Sequence, residues 1–147
     1  MKKKVIYLIG SLRNQEIRDI GIRLREQGFE VFNDWISAGP EADEFWQKHE
    51  RMMGHTYKEA LNGWHAENVF EFDYKHLNRA DIAVLALPAG KSGFLELGYF
   101  TGTGKPGFIL LDKEPERFDI MPRFCIKSGG AVCDSEQELI WELQKHL

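Results

Sequence analysis

A glutamate stands inside the run Pro88-Ala89-Gly90-Lys91-Ser92-Gly93-Phe94-Leu95-Glu96-Leu97-Gly98-Tyr99, directly after the apolar stretch Asp81 to Leu87. If that stretch is a buried strand and Ser92-Gly93 opens a helix, Glu96 lies one turn in. Side chains there lean toward the helix N-terminus, and so toward the carboxyl edge of the sheet. A carboxylate aimed that way can stabilise or attack a carbon that gains positive charge, as the anomeric carbon of a sugar does when its C–N bond to a base breaks. Partnership with the helix dipole is the plain structural role for the same residue. Asp73 follows the helical stripe Leu61, Trp64, Asn68, Phe72. It can bind or protonate a leaving base, provided its surroundings raise its pKa.

A second group of candidates follows the first apolar run. Gly10-Ser11-Leu12-Arg13-Asn14 leads from Val5-Ile6-Tyr7-Leu8-Ile9 into a helical pattern, so its backbone N–H groups, the Ser11 hydroxyl and the Arg13 guanidinium can meet an anion or a sugar hydroxyl. The segment is neither a P-loop, lacking Gly-Lys-Ser/Thr, nor a dinucleotide fingerprint, lacking its glycine spacing. Arg13 can equally pair with Glu16 across one helical turn. Asp34 and Trp35 open the loop after the second strand. Trp35, Trp46, Trp64 and Tyr7 are able to stack on a base, although tryptophans at helical spacing more often fill a core. His49, His55, His65 and His76 crowd the middle of the chain, but no pair has the i, i+4 spacing of a zinc-protease helix, so a solvated face is expected and no metal or cofactor.

The elements that must position these groups are legible from the hydrophobic pattern. Val5 to Ile9 reads as a strand buried on both faces, and Ile17, Ile20 and Leu24 mark a helix over residues 14–27 closed by Gly28. Phe29 to Asn33 is a short strand, and a loop runs to Pro40. A long, mostly helical stretch fills 41–80, punctuated at Gly54 and Asn62-Gly63. Strands at 81–87 and 107–111 flank a helix from Ser92 to about Gly102. Ser135 and Glu138 form a capping-box pattern for a last helix whose Leu139, Leu143 and Leu147 face inward. Alternating strands and helices imply a parallel sheet covered on both faces, with ligands beyond the carboxyl ends of strands at the switch in strand order. The loops after the first three strands are therefore where a site is expected.

Composition narrows the classes. The chain has 147 residues, 43% of them hydrophobic and 29% charged, which suits one domain over 1–147 with a real core and excludes disorder as the main state. A net charge of −4 argues against a duplex nucleic-acid binder. The first apolar run stops at Gly10, too short for a signal peptide, and no run approaches a membrane span. Cys125 and Cys133 have neither metal-ligand spacing nor the density of a disulfide scaffold, so a cytoplasmic protein is expected. The apolar cluster Phe118, Ile120, Met121 and Phe124 exceeds what a connection needs and points to a homodimer or larger homo-oligomer.

Tyr7-Leu8-Ile9-Gly10-Ser11, the stretch Asp73 to Asp81, and Glu96-Leu97-Gly98-Tyr99 followed by Gly104-Lys105-Pro106 resemble the nucleoside 2-deoxyribosyltransferase superfamily. That superfamily includes transferases acting on deoxynucleosides and N-glycosidases acting on nucleoside 5′-monophosphates. The resemblance covers most of residues 4–112. It implies an α/β, flavodoxin-like three-layer sandwich with about five parallel strands, and a pocket completed by a neighbouring subunit. It makes Glu96 the nucleophile, Tyr7 the group that positions it, and Asp73, eight residues before Asp81, the aspartate near the base. Gly10, Ser11, Arg13, Asp34, Trp35, Ser92 and Gly93 are the expected substrate-binding residues. Two departures stand out: Gly90 occupies the place, six residues before Glu96, where deoxynucleoside transferases carry an aspartate, and Ser92 lies only four residues before it. Two other functions fit the pattern: a Toll/interleukin-receptor-like NAD glycohydrolase, and a nucleotide-sensing module without catalysis.

Overall fold

The computed structural model describes residues 2–147. Five parallel strands form one sheet in the order β2-β1-β3-β4-β5, with β1 at Val5–Ile9, β2 at Glu30–Phe32, β3 at Ile82–Ala86, β4 at Gly107–Leu110 and β5 at Ala131–Cys133. This is the doubly wound, flavodoxin-like arrangement, and its order reverses between β1 and β3. Asp81 ties those two strands at their N-terminal ends: its carboxylate accepts the Val5 N–H at 2.8 Å, and its own N–H reaches the Val5 carbonyl.

Side-chain alternation along β1 divides the interior. Ile6 and Leu8 pack on one face with Ile17, Ile20 and Leu24 of α1 (Ile17–Glu26) and Leu139 and Leu143 of α7 (Glu136–Gln144). Val5, Tyr7 and Ile9 pack on the other with Leu77 of α4 (Trp64–Arg79), Leu97 and Phe100 of α5 (Lys91–Gly102) and Cys125 of α6 (Arg123–Lys127). Every residue of β1 and β3 is buried, which is why both read as continuous apolar runs. Each fully buried Ile, Leu or Phe contributes roughly 1.5–3 kcal/mol relative to exposure.

Between β2 and β3 the chain forms a short 3-10 turn at Asp34–Ala38, then α2 (Ala42–Met52), α3 (Tyr57–Leu61) and α4. Gly54, at φ 82°, and Gly63, the N-cap of α4, punctuate the stretch as expected. Several boundaries differ for local reasons. Helix α1 starts at Ile17 rather than Asn14, because the Asn14 side chain accepts the Glu16 N–H at 3.1 Å and holds a turn there. The stripe Leu61, Trp64, Asn68, Phe72 is broken between α3 and α4 and faces solvent, with Trp64 78% and Phe72 50% exposed. Leu147 lies beyond the end of α7 and is 62% exposed, so only Leu139 and Leu143 of that trio face inward. Ser135 caps α7 by accepting the Glu138 N–H, while the Glu138 carboxylate takes the Asp134 N–H. No helix is long and apolar enough to cross a membrane among the described residues.

Candidate active site

The three candidate catalytic residues come from three elements and meet over the sheet face covered by α4 and α5. Tyr7 sits in the middle of β1, 1% exposed, with its ring toward that face. Glu96 projects from α5 and Asp73 from α4, and each carboxylate acts electrostatically on Tyr7. Gly93 permits this arrangement: a side chain there would press at 3.0 Å on Leu85 and at 3.4 Å on Ile9, so the first turn of α5 lies directly on β1 and β3. Gly10 does the same for α1, since a Cβ at that position would collide with Ile17.

Burial pushes the Glu96 carboxyl up to about 7, with the Asp73 charge adding to the rise and hydrogen bonding with Tyr7 opposing it. Burial likewise raises Asp73 above the ordinary aspartate range. The Tyr7 phenol is driven well above its usual value, first by burial and then by the negative charge of Glu96 and Asp73, so it stays protonated and serves as a donor. A pair of carboxylates beside a permanent donor can hold one proton between them, and such tuning by burial is characteristic of functional sites. Removing the donor has a definite sign. Tyr7→Phe should move the Glu96 midpoint upward, above about 7, in a carbon-13 titration of labelled glutamate, because the phenol favours the ionised form.

An aromatic row extends from this centre. Tyr7 packs against Phe32 at 5.2 Å between centroids, and Phe32 stacks on His76 at 4.0 Å with the rings 10° from parallel. Phe72 closes the row edge-on to His76 at 4.8 Å. Burial and the nearby Arg79 and Lys75 cations hold His76 below its usual value, so its ring is neutral at pH 7. Sequence reading missed this wall. Two signals carried it: Phe32 is the register partner of Tyr7, and Phe72 and His76 lie one helical turn apart.

Two hollows of the surface lie elsewhere. A cleft of about 420 Å³ opens on the other face, among Ile20, Leu87, Leu110 and Asp134, and one of about 350 Å³ runs along α2 beside Glu44 and Arg51. Neither contains Tyr7, Asp73 or Glu96, so the perturbed titratable groups and not the volume mark the candidate site.

No family model and no curated protein matches this sequence. Solved structures do match it. A CMP N-glycosidase from Clostridium botulinum superposes with a TM-score of 0.58 at 17% identity, over 96% of this chain and 99% of that one. A 2-deoxyribosyltransferase from Bacillus psychrosaccharolyticus gives 0.60 at 22% identity, over 92% and 90%. A conserved protein from Enterococcus faecalis V583 gives 0.66 at 15% identity, over 99% and 100%. The chain shares the fold of these proteins. On that fold, Tyr7, Asp73 and Glu96 stand together.

The remaining candidate residues are spread more widely. Ser92 is exposed in the first turn of α5, next to the buried Gly93. Ser11 turns inward on its own loop, its Oγ accepting the Arg13 N–H at 3.1 Å. Arg13 pairs with Glu44 of α2, not with Glu16, and both members are well exposed. Asp34 is exposed at the start of the 3-10 turn. Trp35 spends its indole N–H on the Leu8 carbonyl at 2.8 Å and packs against both halves of the core, which ties the loop after β2 to β1. No three His, Cys, Asp or Glu side chains come together as a metal site among the described residues.

Proposed function

We propose that this protein cleaves or transfers at the N-glycosidic bond of a nucleoside or nucleoside 5′-monophosphate. The observation that supports this reading most strongly is the meeting of Glu96, Asp73 and Tyr7 with the Glu96 carboxyl held near neutrality. As the C–N bond lengthens, positive charge builds on the anomeric carbon and negative charge on the base. Glu96, ionised, faces the first as nucleophile or electrostatic partner. Asp73 faces the second and donates to it from the form of the pair whose single proton sits on Asp73, while the Tyr7 hydroxyl orients Glu96. The names of the structural neighbours, one a CMP N-glycosidase and one a 2-deoxyribosyltransferase, agree with this chemistry. Chromatography of products from deoxynucleosides, nucleoside monophosphates and NAD tests it directly. Free base from a nucleoside or its monophosphate is expected. Nicotinamide alone, or binding of all three without turnover, would overturn it.

The phosphate is read by Arg13, with Gly10, Ser11, Asp34, Trp35, Ser92 and Gly93 shaping the rest of the pocket. The Arg13 to Glu44 pair is exposed, so it holds the guanidinium by no more than roughly 1 kcal/mol and releases it readily to a dianion. Arg13→Ala should therefore weaken use of a monophosphate about tenfold or more, since charge-assisted hydrogen bonds contribute roughly 1.5–3 kcal/mol. Cleavage of the bare nucleoside should barely change. Parallel kcat/KM measurements on the two substrates check this, and equal loss on both would remove Arg13 from the site.

The working form is a homodimer or larger homo-oligomer. Phe118 and Ile120 are about four-fifths exposed, at 79% and 82%, and Leu95, next to Glu96, is 78% exposed. Exposed apolar side chains of that extent favour burial against another copy. Light scattering at micromolar concentration should show a dimer or more. The reading is of a cytoplasmic enzyme, consistent with two buried, unpaired thiols at Cys125 and Cys133.

A further inference from the structure

Two residues of the motifs Glu-Leu-Gly-Tyr and Gly-Lys-Pro have no part in the chemistry above, yet both reach across to α4. The Lys105 ammonium donates to the Asn78 carbonyl at 2.8 Å and to the Ala80 carbonyl at 2.7 Å, at the C-terminal end of α4. Helix ends leave such carbonyls without intrahelical partners, and a cation there also meets the negative end of the helix dipole. The Lys105 ammonium also lies over the Phe100 ring, 5.1 Å from its centre. The Tyr99 hydroxyl donates to Asn78 Oδ1 at 2.5 Å and lies 3.3 Å from the Tyr74 hydroxyl, with the two rings 5.6 Å apart.

These contacts add to a small set that holds α4. Of its 16 residues only Leu77 is buried, while His76 and Phe72 pack on Phe32 and Arg79 pairs with Glu30, both of β2. The gripped residues follow Asp73 along the helix: Tyr74 is its neighbour, and Asn78 lies five residues on, about 7.5 Å along the axis at 1.5 Å per residue. On the gripping helix, Tyr99 is three residues from Glu96 and shares its side.

We propose that Tyr99 and Lys105 are positioning residues, a clamp from α5 and its following loop onto the last turns of α4 that sets the spacing between Asp73 and Glu96. The significance of that spacing for turnover rests on the glycosidase reading, but the spacing itself is measurable without turnover. Loosening the clamp lets α4 drift outward, which admits water to Glu96 and carries the Asp73 charge away. Both changes favour the ionised carboxylate.

The test is a carbon-13 titration of the Glu96 carboxyl in wild type, Tyr99→Phe, Lys105→Met and Lys105→Arg, each with its Tm. The midpoint should fall by at least about half a pH unit in Tyr99→Phe and in Lys105→Met. Arg at 105, which retains donors for both carbonyls, should restore most of it. A folded Tyr99→Phe with an unmoved midpoint, whatever its Tm, overturns the clamp. Tyr99→Phe keeps the ring and its packing, so the answer does not depend on Lys105→Met folding. Where base release is observed, kcat should fall about tenfold in the same variants with KM little changed. Absence of base release in wild type would count against the glycosidase reading and leave the midpoint result standing.

Discussion

Glu96→Gln should lower turnover at least about a hundredfold while leaving nucleotide binding in place, because the amide keeps the shape and hydrogen-bonding reach of the side chain and removes its charge. The same substitution should stabilise the protein in alkaline solution. The folded state holds the Glu96 proton up to about 7, against an ordinary value of 4.5. Such a group gives its full stabilisation below the ordinary value, and loses it as pH rises through the folded value. At about 1.4 kcal/mol per pKa unit the upper bound is roughly 3 kcal/mol. Partial solvation of the side chain reduces this to an expected gain of about 2 kcal/mol for the glutamine at pH 8, and to almost none at pH 4. Urea unfolding at the two pH values measures it. Loss of turnover with no gain at pH 8 would show that the charge is not stored at a cost to stability. Unchanged base release would end the enzymatic reading.

The parts of the candidate site differ in how legible they are in the sequence. Glu96 could be placed because a helix that starts at the carboxyl edge of a buried parallel strand leans the side chains one turn in toward that edge, and the strand at Ile82–Ala86 was unmistakable. Tyr7 was different. By pattern alone it is one more apolar residue in a fully buried strand, and only the resemblance made it functional. The site accordingly reaches down onto the face of β1 between α4 and α5, in addition to the loops beyond the strand ends. Tertiary pairings across long separations left no local trace: Arg13 with Glu44, Trp35 with the Leu8 carbonyl, and Lys105 with the end of α4 all depend on the completed fold. The stripe through Trp64 and Phe72 misled for a related reason. Its period is helical, but α4 turns those residues to solvent, and hydrophobic period alone does not say which surface covers a helix.

Asp73→Asn should separate the two duties of Asp73, because it changes both the rate and the Glu96 titration. As a proton donor to the base, the aspartic acid contributes on the order of a hundredfold where the base leaves poorly, and much less where the leaving group is already stable as an anion. The asparagine should therefore slow cleavage strongly for an unactivated base and weakly for an activated one. As a neighbour of Glu96, however, the ionised aspartate raises the Glu96 carboxyl, so the neutral amide should let it ionise at lower pH. The Glu96 carboxyl midpoint in a carbon-13 titration should then move down from about 7 in a variant whose turnover is slower. Tyr7→Phe moves the same midpoint the other way, since it removes the donor that favours the carboxylate. Opposite displacements in the two variants would tie the titration to this cluster of three. A midpoint that stays put in both would show that Glu96 titrates free of both neighbours, and would leave Asp73 only the binding of the base.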